Sequence, residues 1–168
     1  MKKGLLYLGV ALILAFSPPA SATGRPSVSH ASVRYVVDGD TFLLSNGEKV
    51  RLIGIDAPES RENAKLERDL KHTRKSKIAV LAMGKQASKF VRRLLKGKKV
   101  RLEYDSTLRD DYGRLLAYVY LEDGTFVNAE IVKAGYAKIM TIPPNVKYAS
   151  LFSSLQREAR ENHRGLWG

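Results

Sequence analysis

The stretch TFLLSNGEKVRLIGID, residues 41–56, predicts a β-hairpin. Its centre is Asn46-Gly47, the strongest short signal for a two-residue hairpin turn. Apolar residues dominate the segments on both sides of that turn, as in strands with a buried face. The return strand is predicted over 48–55, and pairing about the turn places Phe42 and Val50 on facing strands. The stretch therefore predicts the first two paired strands of a sheet.

Further strands and helices are predicted along the rest of the chain. Residues 60–83 are highly charged and then apolar, and this pattern allows either a helical excursion or a mobile loop. The remaining predicted strands are 33–37, 98–104, 114–121 and 136–142. The predicted helices are 84–97, a short helix capped by Asn128 and ended by Gly135, and 148–162. Short strands with helices between and after them favour an α+β, mainly β fold, a five-stranded OB-type barrel flanked by about three helices.

The N-terminal residues have the pattern of a secretory signal peptide. Met1-Lys2-Lys3 is positive, residues 4–16 are apolar, and Ala20-Ser21-Ala22 is a small-x-small cleavage site. The apolar segment is shorter than the ~20 residues of a membrane span, although an uncleaved anchor stays open as an alternative. We expect a signal peptide over 1–22, a polar linker over 23–32, a domain over 33–168, and a secreted or periplasmic location.

The charge balance favours a polyanionic partner. The chain has a net charge of +12, which becomes +10 when Lys2 and Lys3 leave with the signal peptide. An excess of this size suits nucleic acid, anionic lipid or a wall polymer, and charge alone does not choose among them. The chain has no cysteine, which excludes disulfides, thiolate nucleophiles and cysteine-based zinc sites.

Carboxylates and arginines recur at strand ends and turns, where side chains converge on one mouth of a barrel. The hairpin brings Asp40 and Asp56 to the same open end. Carboxylate and carbonyl oxygens are hard ligands that suit Ca²⁺ or Mg²⁺, and arginine binds phosphate through two charge-assisted hydrogen bonds. The three clusters are Asp38-Gly39-Asp40-Thr41, Arg51 with Asp56-Ala57-Pro58-Glu59, and Asp110-Asp111-Tyr112-Gly113-Arg114.

These groups together predict phosphodiester hydrolysis. Two aspartates and one turn carbonyl make an incomplete metal cage, whose other positions are left to water and to a substrate oxygen. Glu59 would take a proton from the attacking water, and Arg51 and Arg114 would hold the charge that builds on phosphorus. The three histidines share no ligand spacing, which argues against a histidine-dependent metal nuclease.

Five motifs in this order resemble the staphylococcal-nuclease-like, or thermonuclease, family. They are VDGDT (37–41), RLIGIDAPE (51–59), DDYGRLLAYVY (110–120), VNAEIVKAGYAK (127–138) and EARENHRGLW (158–167). The resemblance runs from about Val33 to Trp167. It implies an OB-type barrel and Ca²⁺-dependent cleavage of DNA and RNA that leaves 3′-phosphate and 5′-hydroxyl ends.

The resemblance also implies roles for particular residues. Asp40 and Asp56 match the calcium-binding aspartates, and the carbonyl of Ala57 matches a further ligand. Tyr112 matches a tyrosine that contacts phosphate. The positions that match the catalytic trio are Arg51, Glu59 and Arg114.

Two departures from the family pattern bear on substrate binding. Thr141-Ile142-Pro143-Pro144 stands where well-known members place a tyrosine pair. Stacking worth ~1–3 kcal/mol per base should therefore be lost at that edge. The segment after Glu59 is longer and strongly basic, and we expect residues 61–77 to lie near the cleft and contact phosphate.

Two other hypotheses explain part of the pattern. A non-catalytic OB-type module that binds nucleic acid would account for the fold and the charge, although both aspartates and the catalytic trio are retained. A basic exported protein that binds anionic lipid or wall polymer would explain the charge alone. A monomer is expected, and preference for DNA or RNA stays open.

Overall fold

In the computed structural model, which describes residues 28–73 and 75–168, five strands close into a barrel. Their order around the barrel is β1, β2, β3, β6, β5, with β3 and β6 parallel and the other neighbours antiparallel. The barrel strands are β1 (Val28–Val36), β2 (Thr41–Leu44), β3 (Lys49–Leu52), β5 (Lys99–Glu103) and β6 (Leu115–Leu121). This architecture confirms the predicted OB-type barrel. The predicted signal peptide, and residues 23–27 of the predicted linker, lie outside the described residues.

The predicted hairpin is present in the predicted register. Phe42 faces Val50 across β2 and β3, and both side chains are fully buried. At the turn, Asn46 Oδ1 accepts a hydrogen bond from the Glu48 amide at 3.1 Å, and Gly47 takes a φ of 90°. Gly47 reaches this left-handed conformation without a Cβ penalty, which is why the Asn-Gly pair fixes the turn.

Strand β1 begins five residues earlier than predicted, at Val28. Residues 28–32, predicted as the end of a linker, instead pair with β5, where Ser32 faces Lys99. Ser29 and Tyr104 also share a side-chain hydrogen bond of 2.7 Å. The polar sequence of this segment hid the strand, because only pairing with a distant edge makes it extended.

The predicted return strand 48–55 is broken, and its second half leaves the barrel. Gly54, with a φ of 81°, starts a short strand, β4 (Gly54–Asp56), that pairs with β7 (Lys138–Met140). A Cβ on Gly54 would lie 2.5 Å from a ring carbon of Phe152. The strand predicted over 136–142 is therefore shorter and belongs to this outer ribbon, which carries Asp56 away from the barrel wall.

Four α-helices lie around the barrel in the described residues. The segment 60–83, left open between helix and loop, contains one helix and the start of the next, which Ser76 caps by accepting from the Ala79 amide at 3.2 Å. None of the described helices has both the length and the apolar character of a membrane span. The helices are α1 (Ala64–Leu70), α2 (Lys77–Leu95), α3 (Val127–Lys133) and α4 (Ala149–Glu161), and a 3₁₀ turn (Gly165–Trp167) follows.

Asn128 is not the cap of α3, as predicted, but a buried residue within it. Phe126 occupies the N-cap position, and Asn128 is fully buried. Its Oδ1 accepts from the Val119 amide at 3.0 Å, and its Nδ2 donates to the Ile53 carbonyl at 2.9 Å. The side chain therefore ties α3 to β6 and to the residue just before β4.

Candidate active site

Arg51 joins the two predicted metal-binding aspartates. It lies on β3 opposite Thr41, and its side chain is largely buried. Its Nη1 contacts Asp40 Oδ1, and its Nη2 donates to Asp56 Oδ1 at 2.8 Å. The two carboxylates, which are 16 positions apart in the sequence, thus converge on one guanidinium group.

Asp40 is held by hydrogen bonds on both carboxylate oxygens. Oδ1 accepts from the Thr41 hydroxyl at 3.0 Å, and Oδ2 accepts from the Ala57 amide at 2.7 Å. The side chain is 6% exposed, so these donors and Arg51 replace the water it lost on burial. Asp40 therefore fixes the loop at Ala57 that follows β4.

Lys65, on α1, links this pair to the predicted general base. Its Nζ lies 3.3 Å from Asp56 Oδ1 and 3.0 Å from Glu59 Oε1, and it donates to the Ala57 carbonyl at 3.4 Å. Asn63 Nδ2 donates to Glu59 Oε2 at 2.6 Å. Arg51 and Lys65 both contact Asp56, so the ion pairs run without a break from Asp40 to Glu59.

Arg114 lies immediately before β6, which runs beside β3. Its Nε donates to Asp110 Oδ2 at 2.8 Å, and its amide donates to Asp110 Oδ1 at 3.0 Å. The guanidinium carbon is 5.3 Å from the ring centroid of Tyr112, whose side chain is exposed. Asp110 thus orients Arg114 and leaves Tyr112 facing solvent.

A cleft of about 380 Å³ brings Arg51, Arg114 and Tyr112 to one concave surface. One wall is formed by Met140, Ile142, Pro143 and Pro144 together with Asn145. This wall carries no aromatic side chain and is mostly apolar. The expected loss of base stacking at this edge stays a prediction.

Asp38 is a further carboxylate beside the two arginines. Burial raises the pKa of Asp38 above its ordinary value, and the opposing effects of Arg51, Thr41 and Arg114 offset this only in part. Its Oδ1 accepts from the Asp40 amide at 3.0 Å. Asp38 therefore shapes the turn that presents Asp40.

The donor set fits a hard divalent cation. In the described part of the chain, no three Asp, Glu or His side chains form a metal-binding group by themselves. The predicted set differs from such a group, since it combines Asp40 and Asp56 with the Ala57 carbonyl. The ammonium of Lys65 already lies against oxygens of Asp56 and Ala57. The oxygens of Asp56 and Ala57 therefore lie close enough together to stabilise a cation. Carboxylate and carbonyl oxygens are hard ligands, which suit Ca²⁺.

Sequence reasoning missed two residues that position Glu59. Asn63 donates a hydrogen bond to Glu59, and its Oδ1 accepts one from the Leu66 amide at 2.8 Å. Asn63 therefore caps the N-terminus of α1. An Asn before an apolar helical residue was a signal that could have been used. Gly84 of α2 lies against the loop backbone, because a Cβ there would be 2.1 Å from the Glu59 carbonyl oxygen. Sequence carries no local signal for that contact.

The fold and the cleft together define an OB-type barrel protein with two arginines in one cleft, each in contact with carboxylates, a combination suited to a phosphate-bearing ligand. The chain belongs to the family of staphylococcal nuclease homologues, whose model matches residues 49–168. It is 36% identical over 180 residues to a thermonuclease of Staphylococcus intermedius, covering 99% of both chains. It is 33% identical over 181 residues to a thermonuclease of Staphylococcus hyicus, again covering 99% of both. It is also 36% identical over 136 residues to the endonuclease YncB of Bacillus subtilis, covering 78% of this chain and 58% of that one.

Proposed function

We propose that the protein is an exported nuclease that uses Ca²⁺ to hydrolyse phosphodiester bonds of DNA and RNA. The products would be 3′-phosphate and 5′-hydroxyl ends. The observation that carries this proposal is the continuous set of contacts from Asp40 through Arg51, Asp56 and Lys65 to Glu59, beside the cleft that Arg114 lines. Membership of the staphylococcal nuclease family supports it.

Asp40, Asp56 and the Ala57 carbonyl would hold the calcium ion. When bound, that ion supplies charge neutralisation at a non-bridging phosphate oxygen. Arg51 and Arg114 donate hydrogen bonds to the phosphate, and their fixed charges stabilise the extra negative charge of the transition state. Asp110 holds Arg114 in position for this role.

Glu59 acts as the general base. It takes a proton from a water molecule as the water oxygen bonds to phosphorus. The bond from phosphorus to the 5′ oxygen breaks, and that oxygen takes a proton from solvent water and leaves as the 5′-hydroxyl. Asn63 holds Glu59 Oε2 through a hydrogen bond of 2.6 Å, and the Glu59 side chain is 14% exposed, so few orientations are open to it.

The cleft and the surface charge favour single-stranded or frayed substrate. A cleft of about 380 Å³ falls within the range of ligand pockets and suits one unstacked nucleotide rather than a duplex. Tyr112, exposed at the cleft, contacts the phosphate chain. The net charge of +12, or +10 after cleavage of the signal peptide, draws in a polyanion from a distance.

One degradation assay tests the proposal. The purified protein is incubated with denatured DNA in Ca²⁺ or in chelator, and the assay is repeated with Glu59→Gln and Arg114→Ala. We expect degradation only with Ca²⁺, and a loss of about 10²-fold or more in each variant. Arg157→Ala, which removes an exposed arginine on α4 outside the cleft, is the matched control and should keep full activity.

Two results would contradict the proposal. Binding of DNA without cleavage under common divalent ions would favour the non-catalytic nucleic-acid-binding module. Full activity of Glu59→Gln would remove Glu59 from the chemistry. Export is tested separately, since N-terminal sequencing of the exported protein should give a chain that begins after Ala22.

A further inference from the structure

Lys65 places its ammonium group among three oxygens of the proposed metal site. Asp56 Oδ1, the Ala57 carbonyl and Glu59 Oε1 lie 3.3, 3.4 and 3.0 Å from its Nζ. Two of these residues are proposed calcium ligands, and the third is the proposed base. A hydrogen-bond donor with three N–H groups suits such a set of acceptors.

We infer that Lys65 is an internal cation of this site and competes with Ca²⁺ for it, so that Lys65 sets the affinity for the divalent ion. The inference rests on the proposed function, because it concerns the same oxygens. The family resemblance assigns no role in the site to Lys65. Lys65 thereby becomes a determinant of metal affinity.

The two cations exclude one another on geometric grounds. A calcium ion binds carboxylate and carbonyl oxygens at about 2.3–2.6 Å. The same oxygens of Asp56 and Ala57 hold the Lys65 ammonium at 3.3 and 3.4 Å. Two positive charges within a few ångströms of each other and of shared ligands repel strongly, so Lys65 must withdraw before the ion binds.

The side chain of Lys65 can withdraw from these oxygens without moving the fold. It is 28% exposed and ends in a compact charge on a flexible four-carbon stem. Leu66, the next residue of α1, is fully buried and keeps the helix in place. Arg51 differs, since its side chain is only 13% exposed and is held by two carboxylates. Displacement therefore falls on Lys65 and leaves the phosphate-binding guanidinium where it is.

Competition has a definite thermodynamic form. The measured dissociation constant for Ca²⁺ equals the intrinsic constant divided by the fraction of molecules in which the site is open. If Lys65 occupies the site in about nine molecules of ten, its removal tightens Ca²⁺ binding about tenfold. Removal of the Lys65 ammonium also takes a cation from three oxygens. The free energy of unfolding of the calcium-free protein should therefore fall.

Calorimetric titration of Ca²⁺ into the substrate-free full chain tests the inference. We expect Lys65→Met to bind Ca²⁺ about tenfold more tightly, while Lys65→Arg, which keeps the charge, stays within a few-fold of the unaltered protein. Lys138→Met is the matched control, because Lys138 faces Asp56 across β4 and β7 and loses the same charge. It should change the affinity far less.

Thermal unfolding supplies a second readout that does not depend on activity. In chelator, Lys65→Met should melt at a lower temperature than the unaltered protein, and added Ca²⁺ should raise its melting temperature by a larger margin. Lys138→Met should show neither effect.

The outcomes separate this inference from the proposed function. Equal Ca²⁺ affinity in the unaltered protein and in Lys65→Met would overturn the inference and leave the calcium-dependent nuclease intact. An equal gain in Lys138→Met would also overturn it, because the effect would then be general electrostatics. Absence of Ca²⁺ binding in every variant would overturn both the inference and the proposed calcium dependence.

Discussion

Gly84→Ala should impair catalysis while leaving the protein folded. Gly84 lets α2 lie directly on the loop that carries Glu59. A Cβ at this position would be 2.1 Å from the Glu59 carbonyl oxygen and 2.7 Å from that of Pro58, whereas ordinary contacts lie at 3.4–4 Å. Both obstacles are backbone atoms, so no side-chain rotation relieves them. The loop must move away from α2 by about 1 Å or more, given the tolerance of close-packed interiors.

The two energetic effects of this change partly cancel. Overpacking of a well-packed site costs about 1–3 kcal/mol. Alanine recovers about 1 kcal/mol relative to glycine inside a helix. The free energy of unfolding should thus fall by at most about 2 kcal/mol, a loss that most domains of this size tolerate. A misplacement of about 1 Å at the general base, in contrast, lowers the rate by about 10²-fold.

The assay compares kcat on denatured DNA with the free energy of unfolding from urea titration. Gln86→Ala is the matched control, because Gln86 is exposed on the same helix and its replacement changes neither charge nor packing. We expect Gly84→Ala to lose most of kcat at full occupancy of Ca²⁺, with binding of DNA retained. Unchanged kcat in a folded Gly84→Ala protein would show that contact with α2 does not position Glu59.

Three further outcomes follow from other parts of the structure. Asn128→Ala leaves the Val119 amide and the Ile53 carbonyl without the Asn128 side chain as partner, at about 1–3 kcal/mol each, so urea titration should show a loss of about 2–6 kcal/mol in the free energy of unfolding. A loss well under 1 kcal/mol would contradict the role of Asn128. Burial raises the pKa of both Tyr118 and Tyr120. The contribution of these shifts to the free energy of unfolding is complete below the ordinary tyrosine pKa of about 10 and is lost as pH rises above it. Each Tyr→Phe change should reduce the alkaline slope of stability by about one proton, and an unchanged slope would refute this. The logarithm of the binding constant for denatured DNA should fall linearly with the logarithm of the salt concentration, with a slope of about 0.7 per phosphate contacted. Binding that is insensitive to salt would contradict the electrostatic attraction.

The sequence predicted those features that short stretches of chain determine. Asn46-Gly47 fixes its turn through backbone conformations open to few residues, and the register of Phe42 with Val50 follows from that turn. The hairpin also predicts that Asp40 and Asp56 lie at the same end, although Asp56 reaches that position on β4, after the chain has left β3. Their shared contact with Arg51 bears this out.

Features that depend on distant parts of the chain were not predictable in the same way. The polar residues at 28–32 become a strand only because β5 offers an unpaired edge. Asn128 precedes an apolar helical pattern and therefore resembles a cap, yet its amide bonds Ile53, 75 positions earlier. The segment around Lys65 was expected near the cleft, and Lys65 does contact Asp56 and Glu59. Its proposed contacts with phosphate stay a prediction.

The two halves of the site differ in how the fold holds them. Arg51 lies within the barrel, paired with Thr41 on one side and Leu116 on the other, so backbone hydrogen bonds on both sides of β3 fix it. Glu59 follows a strand that has left the barrel at Gly54, and helix packing and side-chain contacts hold its loop. Substitutions remote from the chemistry should therefore act mainly through the position of the base, while the phosphate-binding arginine keeps its geometry. In kinetic terms, such variants should lose kcat more than they lose affinity for the substrate.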